Sequence, residues 1–264
     1  MKIARRHLLS VDVEDWAQST LDRSLPVTSR VVRNTKSLLD LLDEAGARAT
    51  FFVLGIVAER FPALVREISC RGHEIASHGR GHIAIGDLTP SELDEDIRRA
   101  VGATEAAAGV RVNGYRAPDF SLTGRTRWAY DVLQARGIAY DSSVVPAWNP
   151  RYGIRDAPIR PHRVGAVWEI PLGTFGLGPL RLPLGGGYLR VAPETLIRHE
   201  LDSTEDRVLY VHPYELDRDG LDAVGRPISL RMRLTQNVGR SSMDRKLRAL
   251  LARYEWDALE RVIP

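Results

Sequence analysis

The chain has 264 residues, of which 44% are hydrophobic and 27% charged, and its formal net charge is +3. These values are typical of a globular protein with a sizeable core, and the absence of long lysine or arginine runs argues against nucleic-acid binding. Cys70 is the only cysteine, which excludes a disulfide within the chain. Without a signal-peptide pattern or about 18 consecutive apolar residues, we expect a cytoplasmic protein with no membrane span.

Short apolar runs alternate with amphipathic segments along most of the chain. This alternation predicts an α/β fold of parallel strands, arranged as an open sheet or a barrel, in a single domain. The predicted strands are 7–13, 50–54, 73–77, 112–116, 138–141, 168–172 and 208–211. The predicted helices are 29–44, 62–68, 90–109, 125–135, 193–201 and 242–253. The segment Thr89-Pro90-Ser91-Glu92 is a capping box, which marks the start of the third of these helices.

Three acidic residues, Asp12, Glu14 and Asp15, lie at the end of the first predicted strand. Neighbouring carboxylates repel one another unless a cation lies between them. Side chains alternate along a strand, so Asp12 and Glu14 share one side of it. One of the two could bind a metal ion while the other takes a proton from water.

Two histidines, His78 and His82, follow the third predicted strand at a spacing of four residues. This spacing places both imidazoles on one face of a helix or a tight turn. One carboxylate, two histidines and a bound water suit zinc or a similar divalent ion. The pattern therefore predicts a metal site with an open coordination position.

Two further charged residues, Arg116 and His212, end or follow predicted strands. Parallel α/β folds place their chemistry at the carboxyl ends of strands, so both are candidate site residues. An arginine there could hold an aspartate ionised and oriented. A histidine there could protonate a leaving group near neutral pH.

A glycine-rich segment, 185–187, lacks the lysine of a phosphate-binding loop. We interpret it as a flexible turn at which a substrate approaches the backbone near Gly187. Aromatic side chains that could stack on sugar rings are Trp16, Trp148, Tyr152 and Tyr188.

Taken in order, these motifs resemble the polysaccharide deacetylases, the carbohydrate esterase family 4 group with the NodB-type fold. The matching segments are 10–15, 50–53, 77–82, 115–118 and 209–212. A narrower resemblance, to a subgroup found in bacterial exopolysaccharide and exosortase loci, is carried by segments 140–143, 152–158 and 185–190.

The resemblance implies a distorted (β/α) barrel of the NodB-like type, with a core over 7–215 and a C-terminal extension over 216–264. It also implies metal-dependent removal of N-acetyl groups from sugar units of a bacterial polysaccharide or its lipid-linked precursor. Asp12 would be the general base, oriented by Arg116, and His212 the general acid. A backbone N–H near Pro118 would help to stabilise the oxyanion.

The metal ligands implied by the resemblance include His78 and His82, and the ion is expected to be zinc, with cobalt or nickel as alternatives. The family has two adjacent aspartates in its first motif, whereas this chain reads Asp-Val-Glu-Asp from Asp12 onward. The third ligand is therefore Glu14 or Asp15, and the alternation along the strand favours Glu14.

Two other functions remain open at this point: an allantoinase-like amidohydrolase acting on a small cyclic amide, and a non-catalytic glycan-binding module or scaffold. The expected partner is an N-acetylated glycan. The basic final helix is compatible with peripheral contact with the membrane or with glycan-assembly machinery, although a solvated face is the simpler interpretation.

Overall fold

The computed structural model describes residues 5–149, 151–177, 180–225 and 227–264. Its strands are β1 (Arg6–Val13), β2 (Thr50–Val53), β3 (Glu74–Ser77), β4 (Gly114–Tyr115), β5 (Tyr140–Asp141), β6 (His162–Val164), β7 (Val167–Glu169), β8 (Thr174–Leu177), β9 (Leu180–Pro183), β10 (Val208–Val211) and β11 (Glu255–Asp257). Its helices are α1 (Arg30–Ala45), α2 (Gly55–Arg60), α3 (Pro62–Cys70), α4 (Pro90–Ala108), α5 (Ala129–Ala135), α6 (Gly186–Val191), α7 (Glu194–Ser203), α8 (Leu230–Asn237) and α9 (Arg240–Arg253).

Nine of the described strands form one sheet in the order β10-β1-β2-β3-β4-β5-β7-β6, with β11 beside β1. All pairs in this sheet are parallel except β6 with β7, and β8 pairs with β9 in a separate hairpin. The predicted α/β fold with a parallel sheet is therefore confirmed.

The first strand lies at the centre of the core. Seven of the eight residues of β1 are buried, because helices and neighbouring strands cover both of its faces. Helix α1 packs its leucines Leu38, Leu39 and Leu42 into the same core and ends at Gly46, whose φ is +60°. Helix α4 begins with the predicted capping box at Thr89.

Several elements differ from the predictions. Helix α5 begins at Ala129 rather than 125, and α2 was not predicted. Phe61 has non-helical backbone angles and precedes a proline, so the chain bends between α2 and α3. The described part of the chain contains no helix with the length and hydropathy of a membrane span.

The final helix α9 is basic, as predicted, but its apolar face is covered. Met243, Leu247, Leu250 and Leu251 are buried in the main core. This packing leaves α9 no apolar face for a lipid surface.

The glycine-rich segment is not a flexible turn, so that prediction is wrong. Helix α6 begins at Gly186, and Gly185 forms a β-bridge with Tyr210. A Cβ atom on Gly185 would lie 2.1 Å from the carbonyl oxygen of Tyr210, and one on Gly186 would lie 2.5 Å from the Tyr210 hydroxyl. The glycines therefore allow close packing against β10.

We expect Gly185→Ala to lower the free energy of unfolding by about 3 kcal/mol, because backbone atoms must move to admit the methyl group. Chemical denaturation would measure this loss. The matched control is Gly102→Ala in α4, where a Cβ meets nothing within 4 Å. That change should stabilise the protein by about 0.5–1 kcal/mol. Equal effects of the two changes would contradict the packing role of Gly185.

Candidate metal and catalytic site

The candidate site lies at the carboxyl ends of β10, β1, β3 and β4, which are neighbours in the sheet except that β2 separates β1 from β3. There the structure brings together six of the predicted catalytic and ligand residues, of which five line one cavity and Arg116 binds Asp12. The cavity has a volume of about 230 Å³. The six residues are Asp12, Glu14, His78, His82, Arg116 and His212.

Three buried side chains, Glu14, His78 and His82, each offer one ligand atom, and these atoms lie within 4.8 Å of one another. The Nε2 atoms of His82 and His78 lie 2.8 Å and 3.7 Å from Oε2 of Glu14. This trio is the group in the described residues that could hold a metal ion.

Asp15 is placed elsewhere, although it was the alternative third ligand. Its carboxylate accepts hydrogen bonds from the backbone N–H groups of Ala17 and Thr28 and from the hydroxyl of Thr28. Asp15 thereby fixes the loop after β1, whereas Glu14 points toward the histidines. The strand alternation that favoured Glu14 agrees with this geometry.

The donor set fits a divalent metal. His78 Nδ1 lies 2.9 Å from the carbonyl oxygen of Arg116, so its N–H donates there and Nε2 is left as the ligand atom. The buried Oε2 of Glu14 has no aligned hydrogen-bond donor among the described residues, despite the nearby imidazoles. An atom in this state is well suited to a cation.

The electrostatics of the trio also favour an anionic Glu14. Burial acts to raise the pKa of Glu14, but the charges of His82, His212 and His78 lower it well below its usual range. Burial lowers the pKa of His78. Burial also acts to lower the pKa of His82, but the charge of Glu14 outweighs it and raises that pKa. Glu14 and His78 thus have the protonation states that metal ligation needs, whereas a bound cation would displace a proton from His82.

Asp12 is held by Arg116, and both side chains are buried. Nη1 of Arg116 donates to Oδ1 of Asp12 at 2.7 Å and to the hydroxyl of Ser10 at 2.8 Å. The guanidinium carbon lies 4.1 Å from the centre of the Phe52 ring, which restricts its movement. The other carboxylate oxygen, Oδ2, lies 3.9 Å from Nε2 of His212.

A network that the motif reasoning did not identify positions Arg116. Nε of Arg116 donates to the carbonyl oxygen of Ser142 at 2.8 Å, and Nη2 donates to the Ser142 hydroxyl at 2.9 Å. The Ser143 hydroxyl accepts from the backbone N–H of Ala117 at 2.7 Å and donates to Asp141 at 2.6 Å. The signal available in the sequence was the resemblance of segment 140–143 to the exopolysaccharide subgroup, but that resemblance indicated no role for Ser142 or Ser143.

A pair of fully buried carboxyl groups, Asp141 and Glu169, supports this network. Burial raises the pKa of both groups, and the charge of Asp141 raises that of Glu169 further. Glu169 accepts from the hydroxyl of Tyr130 at 2.8 Å and from the N–H of Val144 at 3.0 Å. Two carboxyl groups that touch away from water are expected to share one proton. This contact links β5 to β7 behind Arg116.

We expect Ser142→Ala to reduce kcat about tenfold, because Nη2 of Arg116 loses its acceptor and the guanidinium loosens its hold on Asp12. The carbonyl oxygen of Ile170 loses its donor as well. The free energy of unfolding should fall by about 1–3 kcal/mol. Steady-state kinetics and denaturation measure the two effects, with the exposed Ser37→Ala as the control. Lowered stability with an unchanged kcat would leave Ser142 only a structural role.

His212 lines the same cavity and follows strand β10. Its Nε2 lies 3.6 Å from Oε1 of Glu14, and its ring stacks on Tyr214 with the ring centres 4.7 Å apart. Its Nδ1 lies 3.8 Å from Glu215, a buried residue that we did not predict. Burial alone would lower the pKa of His212, but Glu215, Glu14 and Asp12 raise it to about 9. The three-residue spacing from His212 to Glu215, typical of a capped turn, was the signal available in the sequence.

The predicted substrate residues are not all at the cavity. Tyr152 lines it, and its hydroxyl lies 3.0 Å from that of Tyr188. Trp148 is 64% exposed and does not line the cavity. A Cβ on Gly187 would lie 3.0 Å from the Arg190 guanidinium, so this glycine packs against protein. Trp16 is buried and donates its indole N–H to Gln236.

Pro118 begins a strained turn in the cavity wall. The two residues after it, Asp119 and Phe120, have φ values of +55° and +50°, and His82 has a φ of +58°. Non-glycine residues seldom adopt this conformation, and such strain is concentrated at functional sites. Asp119 and Phe120 both line the cavity.

The fold and the site together define an α/β protein with a candidate metal-dependent hydrolase site. Residues 19–138 match the family model described as polysaccharide deacetylase. This part of the chain is accordingly similar to the polysaccharide deacetylase domains of the carbohydrate esterase 4, NodB type. Residues 142–264 match a model described as a domain of unknown function, DUF3473.

Curated relatives match over part of the chain. A chitooligosaccharide deacetylase of Bradyrhizobium sp. (strain ANU 289) is 27% identical over 117 residues, which are 44% of this chain and 51% of the relative. A peptidoglycan-N-acetylglucosamine deacetylase of Bacillus cereus is 38% identical over 63 residues, which are 24% and 30% of the two chains. The match to the first of these thus spans about half of the relative's length.

A solved structure from Mycobacterium smegmatis, assigned to the polysaccharide deacetylases, is similar over 99% of this chain and 93% of its own. The TM-score is 0.65 and the identity is 20%. This similarity confirms the expected fold, a distorted (β/α) barrel of the polysaccharide deacetylase type, whose sheet is curled into a half-barrel.

Proposed function

We propose that this chain is a metal-dependent hydrolase that removes N-acetyl groups from N-acetylated sugar units of a bacterial polysaccharide or its lipid-linked precursor. The observation that carries the proposal is the meeting of Glu14, His78 and His82 beside the Asp12–Arg116 pair and His212. The relatives named as chitooligosaccharide and peptidoglycan-N-acetylglucosamine deacetylases support the same reaction type.

Glu14, His78 and His82 would hold the ion, for which zinc is the first choice and cobalt or nickel are alternatives. Carbohydrate esterase 4 proteins are in general metal-dependent. A divalent ion bound there would lower the pKa of a water molecule and polarise the amide carbonyl of the substrate.

Asp12 is the proposed general base. Its Oδ1 accepts from Arg116, so Oδ2, which faces the cavity, remains to take the proton of the attacking water. A bond then forms between the water oxygen and the amide carbon. The N–H of Ala117 already donates to Ser143, which leaves the N–H of Asp119, directly after Pro118, as the proposed donor to the oxyanion.

His212 is the proposed general acid. Its Nε2 lies 3.9 Å from Oδ2 of Asp12 and 3.6 Å from Oε1 of Glu14, and Glu215 lies beside Nδ1. As the carbon–nitrogen bond breaks, His212 gives its proton to the sugar nitrogen. The products are acetate and a free amino sugar.

The resemblance of segments 140–143, 152–158 and 185–190 to the exopolysaccharide subgroup supports a substrate from exopolysaccharide assembly. Tyr152 and Tyr188, joined through their hydroxyls, are the proposed sugar-binding aromatics at the cavity. Trp148 is proposed to contact a longer glycan outside it. We also propose that residues 1–264 act as one catalytic unit, with the core over 7–215.

Acetate release from N-acetylglucosamine oligomers, with zinc or cobalt added to metal-free protein, tests the proposal. Allantoin serves as the competing substrate, with ring opening as the readout. We expect acetate from the oligomers and no ring opening. Ring opening without acetate release would favour the cyclic-amide amidohydrolase, and binding of oligomers without either reaction would favour a glycan-binding module.

A further inference from the structure

An arginine, Arg151, lines the catalytic cavity together with three acidic side chains. Apart from the histidines, the charged residues of the lining are Asp12, Glu14, Asp119 and Arg151. Arg151 is exposed, and its guanidinium forms neither an ion pair nor a hydrogen bond with another described residue. It therefore lies at the rim of the cavity with its N–H donors available to a ligand.

The acidic side chains of the lining, in contrast, already have positive partners. Asp12 accepts a hydrogen bond from the buried Arg116 at 2.7 Å. The carboxylate of Asp119 lies 3.8 Å from Nη2 of Arg23. Glu14 belongs to the proposed metal site, where a cation would balance its charge. The arginine at the rim is thus the charge of the lining that no described residue balances.

The backbone that carries Arg151 is held against the cavity wall. The next residue, Tyr152, lines the cavity, and its ring centre lies 6.0 Å from that of Phe120. The chain turns sharply at Gly153, whose φ is +100° and where a Cβ would lie 2.4 Å from the carbonyl oxygen of Ala147. The guanidinium is therefore attached to a closely packed backbone, directly before a proposed sugar-binding aromatic residue.

We propose that Arg151 binds an acidic group of the glycan, on the unit next to the sugar that loses its acetyl group. A guanidinium matches the oxygens of a carboxylate or a phosphate through two parallel N–H donors. The acidic group could be the carboxylate of a uronic acid or the phosphate that links a precursor to its lipid. This inference rests on the proposed function and deepens it, because it names acidic glycans as the substrate class.

The test measures binding of three probes by calorimetry. The probes are an oligomer that alternates glucuronic acid with N-acetylglucosamine, a neutral N-acetylglucosamine oligomer of equal length, and UDP-N-acetylglucosamine. The zinc-loaded Asp12→Asn chain is used, because it should keep the ion and turn over slowly. Into it are introduced Arg151→Gln, Arg151→Lys or the control Arg155→Gln, a change of an exposed arginine on the same segment that does not line the cavity.

We expect Arg151→Gln to lower the affinity for an acidic probe, relative to the neutral oligomer, by about fivefold to tenfold. Arg151→Lys should recover part of this loss, since lysine keeps the charge without the planar fork. Arg155→Gln should leave the ratio of affinities unchanged. Raised salt should lower the ratio when Arg151 is present. A loss with the glucuronic acid oligomer identifies a carboxylate as the group bound, and a loss confined to UDP-N-acetylglucosamine identifies a phosphate.

Acetate release by the chain with Asp12 intact gives the second readout. Arg151→Gln should raise KM for the acidic oligomer more than it lowers kcat. The inference would be overturned if Arg151→Gln changed the affinity for neither acidic probe, or weakened all three probes equally. Absence of acetate release from both oligomers would count against the proposed function alone, because the binding comparison does not depend on catalysis.

Discussion

Removal of metal with a chelator is expected to abolish acetate release, and zinc or cobalt is expected to restore it. The reason is the buried trio of Glu14, His78 and His82, in which Oε2 of Glu14 lacks an aligned donor. Without an ion, the amide carbonyl and the attacking water lose the polarisation that the surrounding side chains cannot supply. Acetate release measured before and after reconstitution checks this expectation.

The variant His82→Ala makes the prediction specific to the site. It should lower both zinc content and activity, because it removes one of two imidazole ligands. His73→Ala is the matched control, because His73 is a buried histidine before β3 that contacts Phe51 rather than the cavity. Full activity of rigorously metal-free protein would end the proposed mechanism.

Asp12→Asn is expected to lower kcat by about 10²- to 10⁴-fold while zinc binding is retained. Asparagine keeps the size of the side chain and an oxygen for Arg116, but it cannot take a proton from water. Glu14, His78 and His82 are unchanged, so the ion should still bind. Kinetics on an N-acetylglucosamine oligomer and metal analysis of the purified variant measure the two quantities.

Asp40→Asn is a suitable control, since Asp40 is exposed and pairs with Arg71 on the surface. Normal turnover by Asp12→Asn would refute its role as the base. If zinc were lost together with activity, Asp12 would have to be a ligand instead.

Much of the parallel sheet could be predicted because its strands are short apolar runs buried on both faces. The run from His7 to Val13 and the capping box at Thr89 are local signals, and both elements form where these signals place them. The later elements were harder to predict. Strand β11 is short, and its pairing partner β1 lies at the other end of the chain. Strands β8 and β9 are short as well, and they pair within a glycine-containing segment.

The site was predictable where single residues follow strands, as for His78 and His212. It was not predictable where the chemistry depends on contacts between distant segments. Glu215 is buried beside His212, and Glu169 meets Asp141 only because β7 pairs with β5. The role expected for the glycines near 185 failed because the neighbouring backbone, that of Tyr210, is remote in sequence.

Strand β1 pairs with β10 and β11, the last two strands along the chain. Leu8–Val11 pair with Val208–Val211, and Arg6–Leu8 pair with Glu255–Asp257. During synthesis on the ribosome, backbone N–H and C=O groups of β1 therefore stay unpaired until nearly the whole chain has emerged. Contacts of such long sequence separation slow folding and expose the nascent chain to aggregation, so production of this protein should benefit from slow expression or chaperones.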